Sequence, residues 1–195
     1  QYSIRLYTDG NTSRMNFKIC AYIPTPPPND NCGTAQVLTA GSTCVPTGPF
    51  NTLTATAGTQ PSGDGTGRDD DVWFSFTTGA SPQKYMVQLS SLVYNTGFGN
   101  PVIELWDNCN GTQNVQFTPF ATKADFGVLN PSTTYFVRVY TYGSSSRFSS
   151  FSICLLAITP PPNDECAGAI PVQVGSSGFG IPVNGTTQNA GQSNQ

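Results

Sequence analysis

Pro26-Pro27-Pro28-Asn29-Asp30-Asn31-Cys32 returns 134 residues further on as Pro160-Pro161-Pro162-Asn163-Asp164-Glu165-Cys166. Three prolines fix φ, remove three backbone donors and favour an extended polyproline path, so neither copy sits inside a helix or a central strand. Asn-Asp after the prolines is turn chemistry, because both side chains bond backbone groups just downstream. The stretch is punctuation between folded units, written twice.

The repeat reaches beyond its punctuation. Tyr2-Ser3-Ile4-Arg5-Leu6-Tyr7-Thr8 precedes the first copy and Tyr135-Phe136-Val137-Arg138-Val139-Tyr140-Thr141 the second, sharing Tyr, Arg, Tyr and Thr. Phe17-x-Ile19-Cys20 matches Phe151-x-Ile153-Cys154, and Ala35, Gly41 and Ser42 match Ala169, Gly175 and Ser176. A solenoid repeats every roughly 20–50 residues. A period of 134 residues instead means tandem domains, and suits one β-sandwich each. Residues 1–23 are expected to be the last strands of one module, 24–159 a complete module and 160–195 the beginning of a third, a window on a longer repetitive polypeptide.

Charged residues are 10% of the chain and hydrophobic ones 37%. This describes an uncharged polar surface over an aromatic, β-branched interior, and excludes the low-hydrophobicity, high-charge signature of disorder. A net charge of −3 with scattered Lys and Arg gives no nucleic-acid footprint. No apolar run approaches the roughly 20 residues of a membrane helix.

Six cysteines and no histidine point to disulfides and an extracellular or periplasmic setting. The position equivalent to Cys44 in the third repeat is Gly178, whereas Cys32 has its counterpart in Cys166. Partners should vanish together, so Cys32–Cys44 is disfavoured and Cys44–Cys109 is the expected bridge. Cys32 then joins Cys154 within the module; the alternative is Cys20–Cys32 and Cys154–Cys166 across the junctions.

In Asp71-Val72-Trp73-Phe74-Ser75-Phe76-Thr77, Val72, Phe74 and Phe76 alternate with Trp73, Ser75 and Thr77, the period of a strand. Further strands are predicted over 35–40, 52–57, 84–90, 101–106, 114–120, 125–129, 133–142 and 149–158, with a single turn of helix after Cys32 or Cys166. Asn-Pro at 100–101 and 130–131 and Asn-Gly at 110–111 are turn signals between them. The predicted fold is all-β: tandem antiparallel, jelly-roll-like β-sandwiches with short Pro-rich linkers and disulfides.

Pro-Pro-Asn-Asp-x-Cys, Asp-Asp-Asp-Val-Trp-Phe-x-Phe, Pro-Val-Ile-Glu-Leu-Trp-Asp and Thr-Tyr-Phe-Val-Arg-Val-Tyr before Phe-x-Ile-Cys occur here in order. Together they resemble the pre-peptidase C-terminal type of β-sandwich, in particular its tandem copies in large secreted and surface proteins of Bacteroidetes-type bacteria. The resemblance implies accessory or structural domains, often exported by type IX secretion. Family members often carry a further Cys shortly before the Asp run, and none stands there in this chain.

Asp64, Asp69, Asp70 and Asp71 are the densest acidic group and the candidate ligands for calcium, a cation that takes six to eight oxygens. The competing expectation is that Asp71 caps the turn into its strand while Asp69 and Asp70 are solvated. Asn29-Asp30 and Asn163-Asp164 read as turn stabilisers, or as a site that stiffens the linker. Arg5 and Tyr7, and Arg138 and Tyr140, share a strand face. They are expected either as a stacked ladder on the sheet surface or as a ligand-binding platform. Tyr94 and Phe98 are candidates for a binding tip. Without histidine, Ser-His-Asp and Cys-His catalysis is excluded within these residues, and on a strand Glu104 and Asp107 point to opposite faces.

The expected function is therefore non-enzymatic: an extracellular tandem-repeat stalk, filament or cell-surface adhesin. Its partners are neighbouring modules of the same chain or filament, and a surface glycan or protein ligand. The alternative is an accessory or carbohydrate-binding segment of a large secreted hydrolase or peptidase.

Overall fold

The computed structural model describes residues 3–10, 14–21, 23, 25–61, 63, 70–95, 100–111, 114–143, 147–164, 166–175, 180, 182–185, 187 and 190. Ten strands are found among them: β1 Gln36–Val37, β2 Ala40–Gly41, β3 Thr47–Asn51, β4 Val72–Thr77, β5 Gln83–Tyr94, β6 Pro101–Trp106, β7 Gln116–Pro119, β8 Lys123–Leu129, β9 Thr134–Thr141 and β10 Ser149–Ile158. One sheet runs β1-β4-β9-β6-β7; the other runs β2-β10-β5-β8, with β3 also paired to β10. All pairings are antiparallel except β1 with β4 and β2 with β10.

Alternation decides which side chains meet between the sheets. Val72, Phe74 and Phe76 of β4, Ile103 and Leu105 of β6, and Tyr135, Val137 and Val139 of β9 face Tyr85, Val87 and Leu89 of β5 and Phe151, Ile153 and Leu155 of β10 in one core. Full burial of each large apolar side chain is worth about 1.5–3 kcal/mol. Phe74 anchors the centre, edge-on to Phe50 at 4.9 Å and to Phe151 at 6.1 Å.

Two strand expectations change. The run 35–40 divides between the sheets: Gln36 and Val37 pair with β4, the Leu38 amide donates to Ser75 O at 2.8 Å, and Ala40 and Gly41 pair with β10. Leu38 is buried at the crossover and plugs the core edge. Residues 52–57 form no strand; the strand lies just before them, as β3. Thr54 has φ 65°, a left-handed conformation that interrupts a strand. β5 outruns its expected end because a register shift opposite Ser150–Ser152 lets it continue to Tyr94.

Both expected helical turns are present, as single 3₁₀ turns at Cys32–Thr34 and Cys166–Gly168. Among the described residues, none before Gln36 or after Ile158 adds a strand to either sheet.

The expected cysteine pairing is corrected. The bridges are Cys32–Cys109 and Cys44–Cys154, while Cys20 and Cys166 are free and exposed. Neither Cys44–Cys109 nor Cys32–Cys154 forms, nor do Cys20–Cys32 and Cys154–Cys166. The reason is the layer each flank occupies. The Cys32 turn lies on the outer face of the first sheet against Trp73 and Trp106, and Cys109 follows Trp106 by three residues. Cys44 follows β2, whose partner strand β10 carries Cys154.

Candidate functional site

With Tyr135, Val137 and Val139 turned inward, Phe136, Arg138 and Tyr140 must point out of the sandwich. Register then places Trp73 of β4 and Glu104 of β6 on either side of Arg138. Asp71, two residues before Trp73, shares that face. These groups are not on the surface: Asp71, Trp73, Glu104, Trp106, Arg138 and Tyr140 are all fully buried. The expected surface ladder or platform at Arg138 and Tyr140 is thus corrected. Residues 56–61 and Gly63 lie over them, and the bonded Cys32 turn packs beside these.

Inside this cover the charges are closely bonded. Arg138 Nε donates to Asp71 Oδ2 at 2.7 Å, and Nη1 reaches Glu104 Oε2 at 3.4 Å. Nη1 also approaches Gln60 O at 3.4 Å and Pro61 O at 3.5 Å. The guanidinium lies 5.4 Å from the Trp73 ring centroid and 5.1 Å from that of Tyr140. The Trp73 indole N–H donates to Asp71 Oδ2 (2.8 Å) and the Trp106 N–H to Glu104 Oε2 (3.0 Å). Tyr140 OH and the Gly63 amide both donate to Glu104 Oε1, at 3.0 and 2.8 Å. The Gly58 amide donates to Asp71 Oδ1 at 3.0 Å. A Cβ on Gly58 would lie 2.7 Å from Asp71 Oδ2 and 3.0 Å from Arg138 Nη2, so only glycine brings the cover this close. Among the described residues, Arg138 Nη2 alone of the guanidinium nitrogens has no hydrogen-bond partner. The cluster joins the sheet to its cover, and its charged groups are buried beneath the described residues.

Burial pushes the Asp71 carboxyl above its ordinary value, against the opposing pull of Arg138 and the Gly58 and Trp73 donors. A raised folded-state pKa means that the native state binds the proton first. Stability from this group is therefore present below the unfolded value and lost as pH rises through the folded one. Comparing wild type with Asp71→Asn by urea unfolding at several pH values, the difference should shift in favour of wild type as pH falls from 7 towards the ordinary carboxyl range. A shift the other way would contradict this assignment.

The calcium expectation meets the same cluster. Asp71 is Arg138's partner and accepts the Gly58 amide rather than capping its own strand turn, and Asp70 is buried, not solvated. Asp64 and Asp69 lie outside the described residues. Among the described residues no group of three or more His, Cys, Asp or Glu is gathered to hold a metal ion. Glu104 is buried and Asp107 exposed, so they do not converge as a carboxylate pair.

Asn29 and Asp30 exceed turn stabilisation. The Asn29 amide donates to Trp73 O at 3.1 Å while Asn29 O accepts the Trp73 N–H at 2.8 Å. Asp30 accepts the Thr56 amide at 2.5 Å and its hydroxyl at 2.6 Å. Polyproline stretch and module are thereby locked together.

An accessible aromatic pair stands at the end of the sandwich where β5, β7 and β9 stop. Here Tyr94 ends β5, half-buried, and desolvation raises its phenol pKa. Phe98 lies outside the described residues. Phe120, directly after β7, has φ 56° and is 57% exposed. Its ring meets that of Tyr142, directly after β9, edge-on at 4.8 Å. Arg147 packs against the Tyr142–Gly143 turn, 3.3 Å from where a Gly143 Cβ would stand. Main-chain bonds tie these loops: Tyr142 N to Asn100 O (2.8 Å), Asn95 N to Phe148 O (3.2 Å) and Ala121 N to Pro101 O (3.3 Å). Sequence reasoning missed Phe120 and Tyr142. The same-face rule that joined Arg138 to Tyr140 reaches Tyr142 two residues on, where the strand leaves its cover.

A family model described as galactose binding domain-like, and associated with type IX secretion, matches residues 28–153. No curated protein matches the chain.

Proposed function

The chain belongs to the galactose-binding-domain-like family associated with type IX secretion, and from that premise we propose that it is a non-enzymatic, extracellular binding segment of a tandem-repeat surface protein. Its loop end holds a carbohydrate, and its flanking segments join like modules into an adhesive stalk. The observation that carries the binding role is the pair of exposed Phe120 and half-buried Tyr142. Aromatic rings offer a sugar's C–H face a flat apolar surface, and a nearby guanidinium and loop carbonyls offer the hydroxyls directional partners. Rings held by bonded loops need little reordering on binding. Two disulfides suit an oxidising compartment. Among the described residues no helix is long and apolar enough to cross a membrane. The specific pre-peptidase C-terminal likeness fits the same accessory role.

The reading is tested on a glycan array with the oxidised chain, followed by titration of the best ligand. Phe120→Ala and Tyr142→Ala should each weaken binding about tenfold, a loss of about 1.4 kcal/mol, without lowering the melting temperature appreciably. Absence of glycan binding by the wild type, or binding indifferent to both substitutions, would remove the carbohydrate role.

A further inference from the structure

We propose that Pro160–Ala169 is a preformed clamp for the next module of the same polypeptide, docking on the outer face of that module's first sheet and bonding Cys166 to its equivalent of Cys109. The inference rests on the tandem reading and not on the carbohydrate role.

The docked form is visible once, in residues 26–35. Asn29 brackets the Trp73 main chain, Asp30 holds Thr56, and Cys32 packs between Trp73 and Trp106 before bonding Cys109. Asn29, Asp30 and Cys32 are all buried. The second copy keeps Pro-Pro-Pro-Asn-Asp, the Cys and the following Ala. It also keeps the backbone. Asp164 N bonds Pro161 O at 3.0 Å, as Asp30 N bonds Pro27 O at 3.1 Å. Ala169 N bonds Cys166 O at 3.1 Å, as Ala35 N bonds Cys32 O at 3.2 Å. The 3₁₀ turn falls at the same place in each.

The surroundings differ completely. Cys166 is exposed and free, and Asn163 and Asp164 are half-buried, with no sheet strand beyond Ile158 among the described residues. Among the described residues the turn therefore keeps its shape without a sheet face behind it, so local sequence sets that shape. A segment already shaped for its site loses less conformational entropy on docking. Its own module cannot be the receptor, because residues 26–35 already cover that face and Cys109 is already bonded. The receptor is a second copy of the face, and the next repeat supplies it.

The first test fuses residues 36–159 directly after Ala169, so that 160–169 stands where the second copy's 26–35 would. Folding in a glutathione buffer should give a Cys166 bridge to the second Cys109. Each thiol loses one hydrogen, and oxidised glutathione takes the two electrons and leaves as two thiols. Asn163→Ala with Asp164→Ala should lower the melting temperature of the second copy and leave the first unchanged. A control fusion carries residues 26–159 as its second copy. If the control folds while Cys166 stays free in the first fusion, the clamp is wrong and the tandem reading stands.

Should the control not fold, the full chain with Asn29→Ala, Asp30→Ala and Cys32→Ser, which frees the face from its own segment, decides through the cross-links it forms on oxidation. The clamp predicts Cys109–Cys166 links between copies at least tenfold over Cys109–Cys20, since Cys20 is equally exposed but lacks the turn. Equal yields would overturn it.

Discussion

Replacing Arg138 by methionine is expected to destabilise the module by about 3–5 kcal/mol, the cost of removing one partner from a buried ion cluster. Against a typical total of about 5–15 kcal/mol, that is a large fraction of the module's stability. Asp71 and Glu104 would both remain fully buried, and their bonds from Trp73, Trp106, Tyr140, Gly58 and Gly63 supply no positive charge. Methionine roughly fills the stem of the side chain, so the loss reports charge and not volume. Arg138→Lys should fall between, keeping the charge but losing the fork that reaches Asp71 and Glu104 together. Apolar replacement of all three charges should recover most of the loss, because a well-packed apolar cluster can match a buried ion network. Urea unfolding followed by tryptophan fluorescence measures all three variants. An Arg138→Met module within 1 kcal/mol of wild type would show that the cluster does not hold the cover down.

That cluster also shows where sequence reading stops. Alternation located β4 to within a residue, since a period of two needs only neighbours along the chain; the runs read as β6, β9 and β10 also fell within a residue of their bounds. It also put Arg138 and Tyr140 on one face. Whether that face meets water depends on residues 56–61, 63 and 29–32, which come from elsewhere and carry no periodic signal. Asn29 and Asp30 likewise read as a turn because their partners, Trp73 and Thr56, are distant in sequence. The threonines at 52, 54 and 56 suggested a strand by composition, but they serve as individual bonds: Thr52 to Ser149, Thr54 to Thr25 O and Thr56 to Asp30. The repeat marked the right cysteines within the module and the wrong partners, because pairing follows from which sheet each flank joins.

Cys44→Ser with Cys154→Ser, and separately Cys32→Ser with Cys109→Ser, are each expected to lower stability by about 4–5 kcal/mol. The bridges span separations of 110 and 77 residues. Closing loops of that length removes enough unfolded-state entropy to give roughly this figure in the chain-entropy model. The two losses should look different. Cys44–Cys154 fastens the two-residue β2 to β10. Without it that edge should exchange its amides faster while Trp73 and Trp106 stay covered. Cys32–Cys109 lies against both indoles, so its loss should loosen the cover over Arg138 and expose tryptophan to quenchers before global unfolding. With both bridges gone, the remaining core should not keep the module folded at 37 °C. Urea titration gives the magnitudes, and amide exchange with acrylamide quenching separates the two patterns. If the Cys32/Cys109 variant leaves the tryptophans as protected as the Cys44/Cys154 variant does, the cover is held by Asn29, Asp30 and the ion cluster alone. The bridge then acts only on the unfolded chain.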